Sequence, residues 1–452
     1  MAHWDVSALV SEDRSHLLHP LYHPNDHAKP HVWVKGSGAT LTDADGREYI
    51  DGLACLWNVN VGHGRKELAD AAAEQMATLA FATNYAGSSN IPAIRLAHRL
   101  TELAYPNLSA AYFASGGAEA NESAFKTARF YWKVKGQPDK VKIISRQYGY
   151  HGVTMAAMCA TGIPGYDRMF GPRIPHFIHT AAPYSYRFQG AKPGETVGQA
   201  AARMFEETIL TEGPGTVAAF IAEPVQGAGG IIVPPDDYFP LVRKICDTHQ
   251  VLFIADEVIT GFGRTGDWFA LARYGVQPDI LAFAKGITSG YQPLGGIMIS
   301  REIHDAILQA PYADRWMHAY TYSGHPTCCA VGLRNLEIIE QEGLVENAAK
   351  MGARLLAGMQ SLSDLAAVGE VRGKGLMVAV ELVSDRATKA GFDPAKNVIG
   401  KVKAELETRG VFTRNVRDIL CFAPALVITP AQVDRLVEAT REAVAAVLPA
   451  RA

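Results

Sequence analysis

The stretch that decides the fold is Val251-Leu252-Phe253-Ile254-Ala255-Asp256-Glu257-Val258, followed by Leu281-Ala282-Phe283-Ala284-Lys285-Gly286. Each stretch is an apolar run, which predicts a strand buried on both faces. Asp256 ends the first run, and Lys285 follows the second run 29 residues later. Buried strands otherwise exclude charged residues, so a carboxylate and an amine at two strand ends indicate a catalytic site.

These two side chains suit a cofactor that carries a carbonyl group. An amine such as that of Lys285 forms a Schiff base with a carbonyl, while a carboxylate such as that of Asp256 holds a ring nitrogen protonated. Both features belong to pyridoxal phosphate chemistry. A salt bridge near the strand end is the alternative interpretation of Asp256. Glu257 points to the other face of the strand, and we assign it to structure.

The composition describes an ordinary globular protein. The chain has 452 residues, 48% of them hydrophobic and 20% charged, with a net charge of −3. There is no charge excess to draw nucleic acid or an anionic membrane, and no stretch approaches the ~20 apolar residues of a membrane span. The first residues lack a basic and then apolar leader, and the six cysteines are scattered. We therefore predict a cytoplasmic protein with reduced thiols.

Apolar runs alternate with helical stretches in the middle of the chain, which predicts an α/β fold with a mainly parallel sheet covered by helices on both faces. We expect three segments. Residues 61–326 form a large domain, residues 1–60 form an irregular arm with a short β segment that joins a smaller domain, and residues 327–452 complete that smaller domain. The clearest predicted strands are residues 141–145, 217–222, 251–255, 280–284 and 295–299, with predicted helices at 118–132 and 238–249.

Two further patterns fit a planar, phosphorylated cofactor. A small-residue turn at residues 113–118 leads into a helix, where free backbone N–H groups favour an anion, although a plain strand-to-helix turn looks the same. Val258 lies two residues after Asp256, so both side chains point the same way and the valine packs beneath a ring. Tyr150, after another predicted strand, is placed to stack on the opposite side of that ring.

Histidines recur in the N-terminal arm at spacings of three and four, which on a helix would resemble a metal site. Prolines interrupt any such helix, and no cysteine or acidic cluster accompanies the histidines. We therefore predict a solvated arm and no metal site. Gly36-Ser37-Gly38 is predicted to be a turn, because no dinucleotide-binding unit surrounds it. The histidines are His16, His19, His23, His27 and His31.

Taken together, the segments resemble the class III aminotransferases, the ω-aminotransferase group of fold-type I pyridoxal phosphate enzymes. The resemblance runs from residue 43 to residue 426. It implies a seven-stranded sheet in the large domain, a smaller α+β domain from both termini, and pyridoxal 5′-phosphate as cofactor. The most specific stretches are Glu223-Pro224-Val225-Gln226-Gly227, residues 255–258, Gly261-Phe262-Gly263-Arg264-Thr265-Gly266, Ala284-Lys285-Gly286 and Tyr322-Ser323-Gly324-His325-Pro326.

The resemblance also implies roles for individual residues. Lys285 resembles the Schiff-base lysine that moves a proton between substrate and cofactor, and Asp256 resembles the partner of the pyridinium nitrogen. Thr321 resembles a threonine that reaches the phosphate of the neighbouring subunit's cofactor, which implies a homodimer with shared sites, or a tetramer. The expected cofactor-binding residues are Gly117, Ala118, Tyr150, Asp256, Val258, Lys285 and Thr321.

Two departures from the family narrow the expected substrate. Ala228 stands where the GABA and ornithine branches carry glutamate. Those branches also carry an arginine just before the proline of their C-terminal segment, whereas here Leu420 and Cys421 occupy the stretch before Pro424. The available cation is Arg414, as in pyruvate-dependent ω-transaminases, where a mobile arginine binds an acceptor carboxylate and withdraws for an apolar amine. The expected substrate-binding residues are Leu56, Trp57, Tyr85, Tyr150, Ala228, Ile259 and Arg414.

The sequence thus predicts an aminotransferase that moves an amino group from an ω-amine or ω-amino acid to pyruvate or a similar 2-oxo acid, in two ping-pong half-reactions. Three alternatives stay open at this point. The enzyme could be a diamine or polyamine transaminase of the putrescine–pyruvate type, or an aminomutase or decarboxylase of the same fold. It could also be a non-catalytic, cofactor-binding regulator, against which Lys285, Asp256 and the absence of a DNA-binding appendage argue.

Overall fold

The strands form three sheets in a computed structural model that describes residues 4–85 and 87–448, without the side chain of Asp26. In those residues the strands are β1 (Trp33–Ser37), β2 (Thr40–Asp43), β3 (Glu48–Asp51), β4 (Leu108–Ala114), β5 (Lys142–Arg146), β6 (Phe177–Thr180), β7 (Val217–Ala222), β8 (Leu252–Asp256), β9 (Ile280–Phe283), β10 (Gly295–Ser300), β11 (Val368–Gly373), β12 (Val378–Leu382), β13 (Val411–Phe412), β14 (Arg414–Val416) and β15 (Ile419–Phe422).

Helices occupy most of the chain between these strands. They are α1 (Val6–His16), α2 (Ala54–Trp57), α3 (Lys66–Leu79), α4 (Ile91–Leu103), α5 (Gly117–Val134), α6 (Met155–Ala160), α7 (Val197–Glu212), α8 (Tyr238–His249), α9 (Arg301–Gln309), α10 (Pro326–Gln341), α11 (Leu344–Gln360), α12 (Val398–Thr408) and α13 (Pro430–Val447). Short 3-10 helices lie at Pro24–His27, Pro214–Thr216, Ala270–Tyr274, Lys285–Ile287, Tyr312–Asp314, Ser361–Asp364 and Pro394–Lys396. None of the described helices is both long and apolar enough to cross a membrane.

The large sheet has seven strands in the order β4-β10-β9-β8-β7-β5-β6. Its strands are parallel except for β10, which runs antiparallel to β4 and β9. All residues of β7, β8, β9 and β10 are buried, as their unbroken apolar runs predict. The predicted α/β fold with a mainly parallel, seven-stranded sheet is confirmed.

Helices cover both faces of this sheet. On one face, Ala120 and Ala124 of α5 pack against Ala219 and Ile221 of β7. On the other face, helices α7 and α8 pack against aromatic side chains of β7 and β8, such as Phe220. The neighbours Ala219, Phe220 and Ile221 alternate between the two faces, as successive residues of a strand must.

The ends of the strands explain why a site forms here. Asp256 is the last residue of β8 and pairs in register with Ala282 of β9, and Lys285 follows β9 directly. The carboxyl ends of parallel strands open at one edge of the sheet, where ligands of such folds bind. Asp256 and Lys285 therefore meet at that edge although 29 residues separate them.

The N-terminal and C-terminal segments share the smaller sheets. Strand β13 pairs in parallel with β3 and so completes a four-stranded sheet with β1 and β2. The third sheet has the order β11-β12-β15-β14. This arrangement agrees with a smaller unit built from both termini. We propose the domain boundaries at 60/61 and 326/327 as stated from the sequence; their outermost residues, 1–3 and 449–452, lie outside the described part.

The expectation of an irregular N-terminal arm is wrong for residues 6–16, which form α1. Asp5 caps this helix by accepting a hydrogen bond from the Ala8 amide, and none of its residues is buried. A helix that buries no face shows no apolar periodicity, so the pattern that reveals other helices is missing here. Beyond it, Pro24–His27 is a 3-10 helix, and His19 and His27 stack with ring centroids 3.9 Å apart.

Candidate active site

A cavity of about 460 Å³ opens at the carboxyl edge of the large sheet. Its walls come from the turn before α5, the loop after β5, the ends of β7, β8 and β9, and the loop after Ile287. Seven residues expected from the sequence line it: Gly117, Ala118, Tyr150, Asp256, Val258, Ile259 and Lys285. Distant segments of the chain are thus brought to one place.

Lys285 begins a short 3-10 helix with a left-handed backbone, φ +48°. Burial lowers the pKa of its amine, the carboxylates of Asp256 and Glu223 oppose that shift, and the guanidinium of Arg414 adds to it. An amine with a lowered pKa is neutral over a wider range of pH, and only a neutral amine acts as a nucleophile or a base.

Asp256 is 3% exposed and is held from three sides. Its Oδ2 accepts hydrogen bonds of 2.8 Å from Asn121 Nδ2 and 2.8 Å from His151 Nδ1, and its Oδ1 accepts one of 3.1 Å from the Val258 amide. Asn121 also donates to the carbonyl oxygen of His151 at 2.8 Å, which ties the two supporting residues together. The carboxylate is therefore fixed in orientation and compensated on the side away from the cavity.

Glu223 lies directly after β7 and also lines the cavity. Its two carboxylate oxygens accept hydrogen bonds of 2.9 Å from the Tyr150 and Gly227 amides. Burial raises the pKa of Glu223, while the neighbouring His151 opposes that shift. Glu223 therefore holds two loops in place, the loop that carries Tyr150 and the loop that carries Ala228. These two hydrogen bonds give Glu223 a structural role in the Glu-Pro-Val-Gln-Gly stretch.

The turn before α5 leaves an anion-binding end in the cavity. No side chain caps α5 at Gly116, and within the described residues the amides of Gly117 and Ala118 have no hydrogen-bond acceptor. The helix has 18 residues, so its N-terminus carries a substantial partial positive charge. A Cβ added at Gly117 would lie 2.9 Å from Cγ1 of Val258, so glycine is needed for this close approach.

Four predicted substrate residues fall beside the cavity rather than on its wall. Trp57 is 3% exposed and packs in an apolar cluster with Ile259, which does line the cavity. Its neighbour Leu56 is exposed. Ala228 is half-buried in a turn closed by hydrogen bonds between Gln226 and Ile232. The fourth of these residues is Arg414.

Tyr85 and Thr321 lie away from the cavity. Both are exposed, and their segments are tied together because Asn84 Nδ2 donates to the Ser323 carbonyl at 3.2 Å. Tyr85 lines a separate groove with Trp316 and other residues. Within a single chain, neither Tyr85 nor Thr321 contributes to the cavity that holds Lys285.

Arg414 lies at the start of β14 with a half-buried side chain. Within the described residues its guanidinium makes no hydrogen bond, ion pair or ring contact. Its charge nevertheless lowers the pKa of Lys285 and opposes the rise in the pKa of Tyr150 that burial causes. Arg414 is therefore close enough to influence the cavity, while no partner in the described part of the chain holds its side chain.

The turn of the same hairpin is firmly held. Arg417 Nη2 donates to the Gly229 carbonyl at 3.1 Å, and Arg372 donates to the carbonyls of Gly230 at 2.6 Å and Ile231 at 3.0 Å. These contacts join the third sheet to the loop that carries Ala228.

Comparisons with known proteins agree with this geometry. The family model described as aminotransferase class-III matches residues 21–444. The diaminobutyrate–2-oxoglutarate transaminase of Halomonas elongata is 41% identical over 96% of this chain and 95% of its own length. The putrescine–pyruvate aminotransferase of Pseudomonas aeruginosa is 39% identical over 95% and 94%. A solved (S)-enantioselective omega-transaminase from Thermomicrobium roseum is 50% identical, with a TM-score of 0.95 and coverage of 99% and 100%.

The chain is a class III aminotransferase. The resemblance inferred from the sequence is confirmed, as is the dependence on pyridoxal phosphate that this family implies. The enzyme transfers an amino group from an amine donor to a keto acid acceptor. A solved omega-transaminase from Pseudomonas jessenii, 39% identical with a TM-score of 0.94, is described in complex with PMP.

The residues around the cavity fit this cofactor. An amine, a fixed carboxylate and free helix amides are the groups that a carbonyl, a ring nitrogen and a phosphate require. Two buried polar atoms next to Asp256, Oδ1 of Asn121 and Nε2 of His151, have no hydrogen-bond partner within the described residues. Both atoms are shielded from solvent, so the fit to the cofactor rests on the amine, the carboxylate and the helix amides that line the cavity.

Sequence reasoning missed Asn121, His151 and Glu223 as site residues. Asn121 lies four residues after Gly117, which places both on the same face of the helix. This spacing could have identified Asn121 as a site residue. His151 follows Tyr150, but nothing in the sequence pairs it with a carboxylate 105 residues away. The Glu223 stretch was recognised only as a family motif.

The contact between Gly117 and Val258 leads to a testable prediction. In Gly117→Ala the new methyl group must displace Val258, which we expect to cost about 1–3 kcal/mol of stability even without cofactor. Gly116→Ala is the matched control, because a Cβ there meets no protein atom within 4 Å and its backbone is extended. Thermal unfolding of the cofactor-free enzymes should show a lower midpoint for Gly117→Ala alone. Equal midpoints would contradict the close approach.

Proposed function

We propose that this class III aminotransferase moves an amino group from an ω-amine or ω-amino acid to pyruvate or a similar small 2-oxo acid. The observation that carries the proposal is the guanidinium of Arg414, which has no partner among the described residues and whose charge influences Lys285. The relatives support it, because one is a putrescine–pyruvate aminotransferase and several similar solved structures are omega-transaminases.

The roles of Lys285 and Asp256 are part of the proposal. When bound, pyridoxal phosphate supplies a carbonyl for the transferred amino group and an electron sink that acidifies the carbon bearing it. The neutral amine of Lys285 would hold the cofactor through its carbonyl carbon and, when the donor takes that place, would take and return the proton at the donor carbon. Asp256, oriented by Asn121 and His151, holds a proton on the ring nitrogen.

The other cavity residues bind and orient. The amides of Gly117 and Ala118 bind the phosphate, and Tyr150 and Val258 pack on the two faces of the ring. Ile259, which shares an apolar cluster with Trp57, supplies an apolar wall for the donor, and we assign Leu56 and Ala228 to this wall from the sequence.

Arg414 serves the two half-reactions differently. A 2-oxo acid brings a carboxylate that its planar guanidinium binds in a bidentate manner. An amine donor without a carboxylate leaves that cation without a partner, and an unpaired cation near an apolar substrate is unfavourable. Because no contact within the described residues holds the side chain, Arg414 is free to withdraw while the amine is bound.

A diamine donor is the second candidate. It is favoured by the putrescine–pyruvate relative and by a second carboxylate in the cavity, Glu223. The pKa of Glu223 is raised by burial, and a bound ammonium group would restore its charge. Comparing initial rates with putrescine, β-alanine and 1-phenylethylamine as sole donors, with pyruvate fixed, separates the two candidates: the donor class with the highest kcat/KM identifies the pocket.

Residues outside the cavity suggest a shared site. Tyr85 and Thr321 are both exposed, on two segments that the Asn84–Ser323 hydrogen bond joins, and neither lines the cavity of its own chain. We therefore propose a homodimer in which these two segments close the partner's site and Thr321 binds the partner's phosphate. The cytoplasmic location stays a prediction, based on six cysteines that the structure shows as free thiols.

The first prediction concerns Arg414. In Arg414→Ala the loss of a charged hydrogen bond to the acceptor carboxylate should cost about 1.5–3 kcal/mol, or roughly 10- to 150-fold in kcat/KM for pyruvate. The half-reaction with 1-phenylethylamine, followed by loss of the visible cofactor band without acceptor, should be nearly unchanged. Arg354→Ala is the control, because Arg354 pairs with Asp434 on the surface away from the cavity, and this variant should keep the affinity for pyruvate. An equal loss in both half-reactions of Arg414→Ala would refute the proposed role.

The second prediction concerns pH. The rate of the amine half-reaction should rise with pH as Lys285 becomes neutral, and the rise should lie below the pKa of ~10.4 of an ordinary lysine because burial lowers its pKa. In Arg414→Gln a positive charge that lowers this pKa is lost, so the rise moves to higher pH. Glu223→Gln removes a negative charge and should move it to lower pH. Arg354→Gln, which removes a surface guanidinium away from the cavity, is the control. Shifts of the same sign in the first two variants would contradict this account.

The third prediction tests the shared site. Lys285→Ala subunits lack the amine, and Thr321→Glu subunits should bind phosphate weakly because like charges repel. If Thr321 serves the partner, a mixed dimer of the two contains one intact site, so tight cofactor binding and about half of the wild-type activity per dimer should return. If Thr321 serves its own chain, mixing restores nothing. Separately tagged subunits, purified by both tags, allow this measurement.

A further inference from the structure

Three potential metal ligands meet on the loop between β3 and α3. They are the carboxylate of Asp51, the thiol of Cys55 and the imidazole of His63, and their ligand atoms all lie within 4.8 Å of one another. None of the three belongs to the catalytic cavity. Within the described residues this is the one such group of histidine, cysteine and acidic side chains.

The distances suit a bound ion. His63 Nε2 lies 2.9 Å from Asp51 Oδ2 and 3.8 Å from Cys55 Sγ. Bond lengths of about 2.0–2.3 Å place the ligand atoms of a tetrahedral zinc ion roughly 3.4–3.6 Å apart. The observed separations lie on either side of that range and differ from it by about half an ångström or less, so small side-chain rotations complete the geometry.

The same three residues do not form a nucleophilic triad. In such a triad the histidine contacts the nucleophile through one ring nitrogen and the carboxylate through the other. Here Cys55 and Asp51 both approach Nε2. Convergence of a sulfur and an oxygen on one nitrogen is the arrangement of ligands around a common ion, and it gives no path for relaying a proton.

The backbone holds the ligands in this arrangement. Asp51 is fully buried, and its carboxylate accepts hydrogen bonds from the amides of Leu53 at 3.2 Å and Cys55 at 2.8 Å and 2.9 Å, which fixes its orientation as metal sites require. Cys55 has φ +55° and ψ −83°, a conformation outside the regions open to ordinary residues. Such strain costs about 1–3 kcal/mol and persists where the surroundings impose it.

We propose that Asp51, Cys55 and His63 bind a divalent ion of the zinc class, with water as the fourth ligand. A thiolate, an imidazole and a carboxylate together are the donor set that zinc favours. On binding, the S–H bond of Cys55 gives way to a sulfur–zinc bond and its proton passes to solvent, while His63 carries its ring proton on Nδ1. The thiol is accessible, since Cys55 alone among the six cysteines is exposed.

The site lies next to the substrate pocket. Asn58, three residues after Cys55, lines the catalytic cavity, and Trp57 belongs to the same apolar cluster as Ile259. An ion that ties residues 51, 55 and 63 together stiffens the segment that carries both side chains. Metal binding would therefore affect the apolar wall of the substrate pocket, although the metal takes no part in the reaction.

The proposal departs from the expectation that the chain has no metal site. That expectation rested on the five histidines of the N-terminal arm, where metal-like spacing is most apparent. The spacing of the three ligands proposed here matches no common zinc motif. They converge because the loop turns back on itself at Ala54 and Cys55, both with positive φ, and at Gly62, where φ is +84°.

The test is zinc binding to the cofactor-loaded enzyme, measured by equilibrium dialysis against a chelator of known affinity. Wild type should bind one Zn²⁺ per chain. Outer-shell substitutions already weaken metal sites by about 10- to 100-fold, so loss of a direct ligand in Cys55→Ala or His63→Gln should weaken binding by more than about tenfold. The double variant His19→Gln/His27→Gln is the matched control, because it removes the competing stacked histidines, and it should bind as wild type does.

Cobalt(II) gives a second readout that does not depend on activity. The difference spectrum between wild type and Cys55→Ala, both loaded with cofactor, should contain a thiolate-to-cobalt charge-transfer band and the intense ligand-field bands of a tetrahedral site. Three outcomes would overturn the proposal: no zinc bound above the chelator, zinc lost in the His19/His27 variant instead, or equal binding and identical cobalt spectra in wild type and Cys55→Ala.

Discussion

The contact on which the active site depends is that between the buried carboxylate of Asp256 and the ring of His151. A carboxylate at the edge of a buried sheet is expensive unless hydrogen bonds compensate it. His151 and Asn121 supply that compensation from the loop after β5 and from α5. One carboxylate thereby fixes the relative positions of three elements, and the amides at the start of α5 and the Tyr150 loop take their places from the same contact.

The close approach of the main chain to two side chains sets the width of the cavity. Gly117 lets the start of α5 lie against Val258, and at Gly227 an added Cβ would come within 2.6 Å of Ile259. In both places glycine brings the main chain onto a side chain that lines the cavity. The wall is therefore made by close packing of backbone against Val258 and Ile259, with the charged groups confined to positions that the strand ends provide.

The sequence predicted the parts of the fold that depend on local patterns. Unbroken apolar runs identified β7 and β8, and the carboxyl ends of such strands meet at one edge, so local patterns alone are enough to place Asp256 beside Lys285. The sequence did not predict strand β4, because four of its seven residues are only partly buried and its run is less apolar than those of β7 and β8. Contacts over long separations, such as that of His151 with Asp256, leave no local pattern and could not be predicted.

The site must also accept two substrates of different charge in succession. Two carboxylates raise the pKa of Lys285 and the guanidinium of Arg414 lowers it. The electrostatic potential at the amine therefore depends on the position of Arg414. The turn that follows Arg414 is fixed, since Arg417 and Arg372 clamp the adjacent loop through backbone carbonyls. No such contact holds the Arg414 side chain within the described residues. In the function that we propose, a strand that carries a guanidinium without a contact among the described residues lets the same cavity be cationic for a keto acid and apolar for an amine.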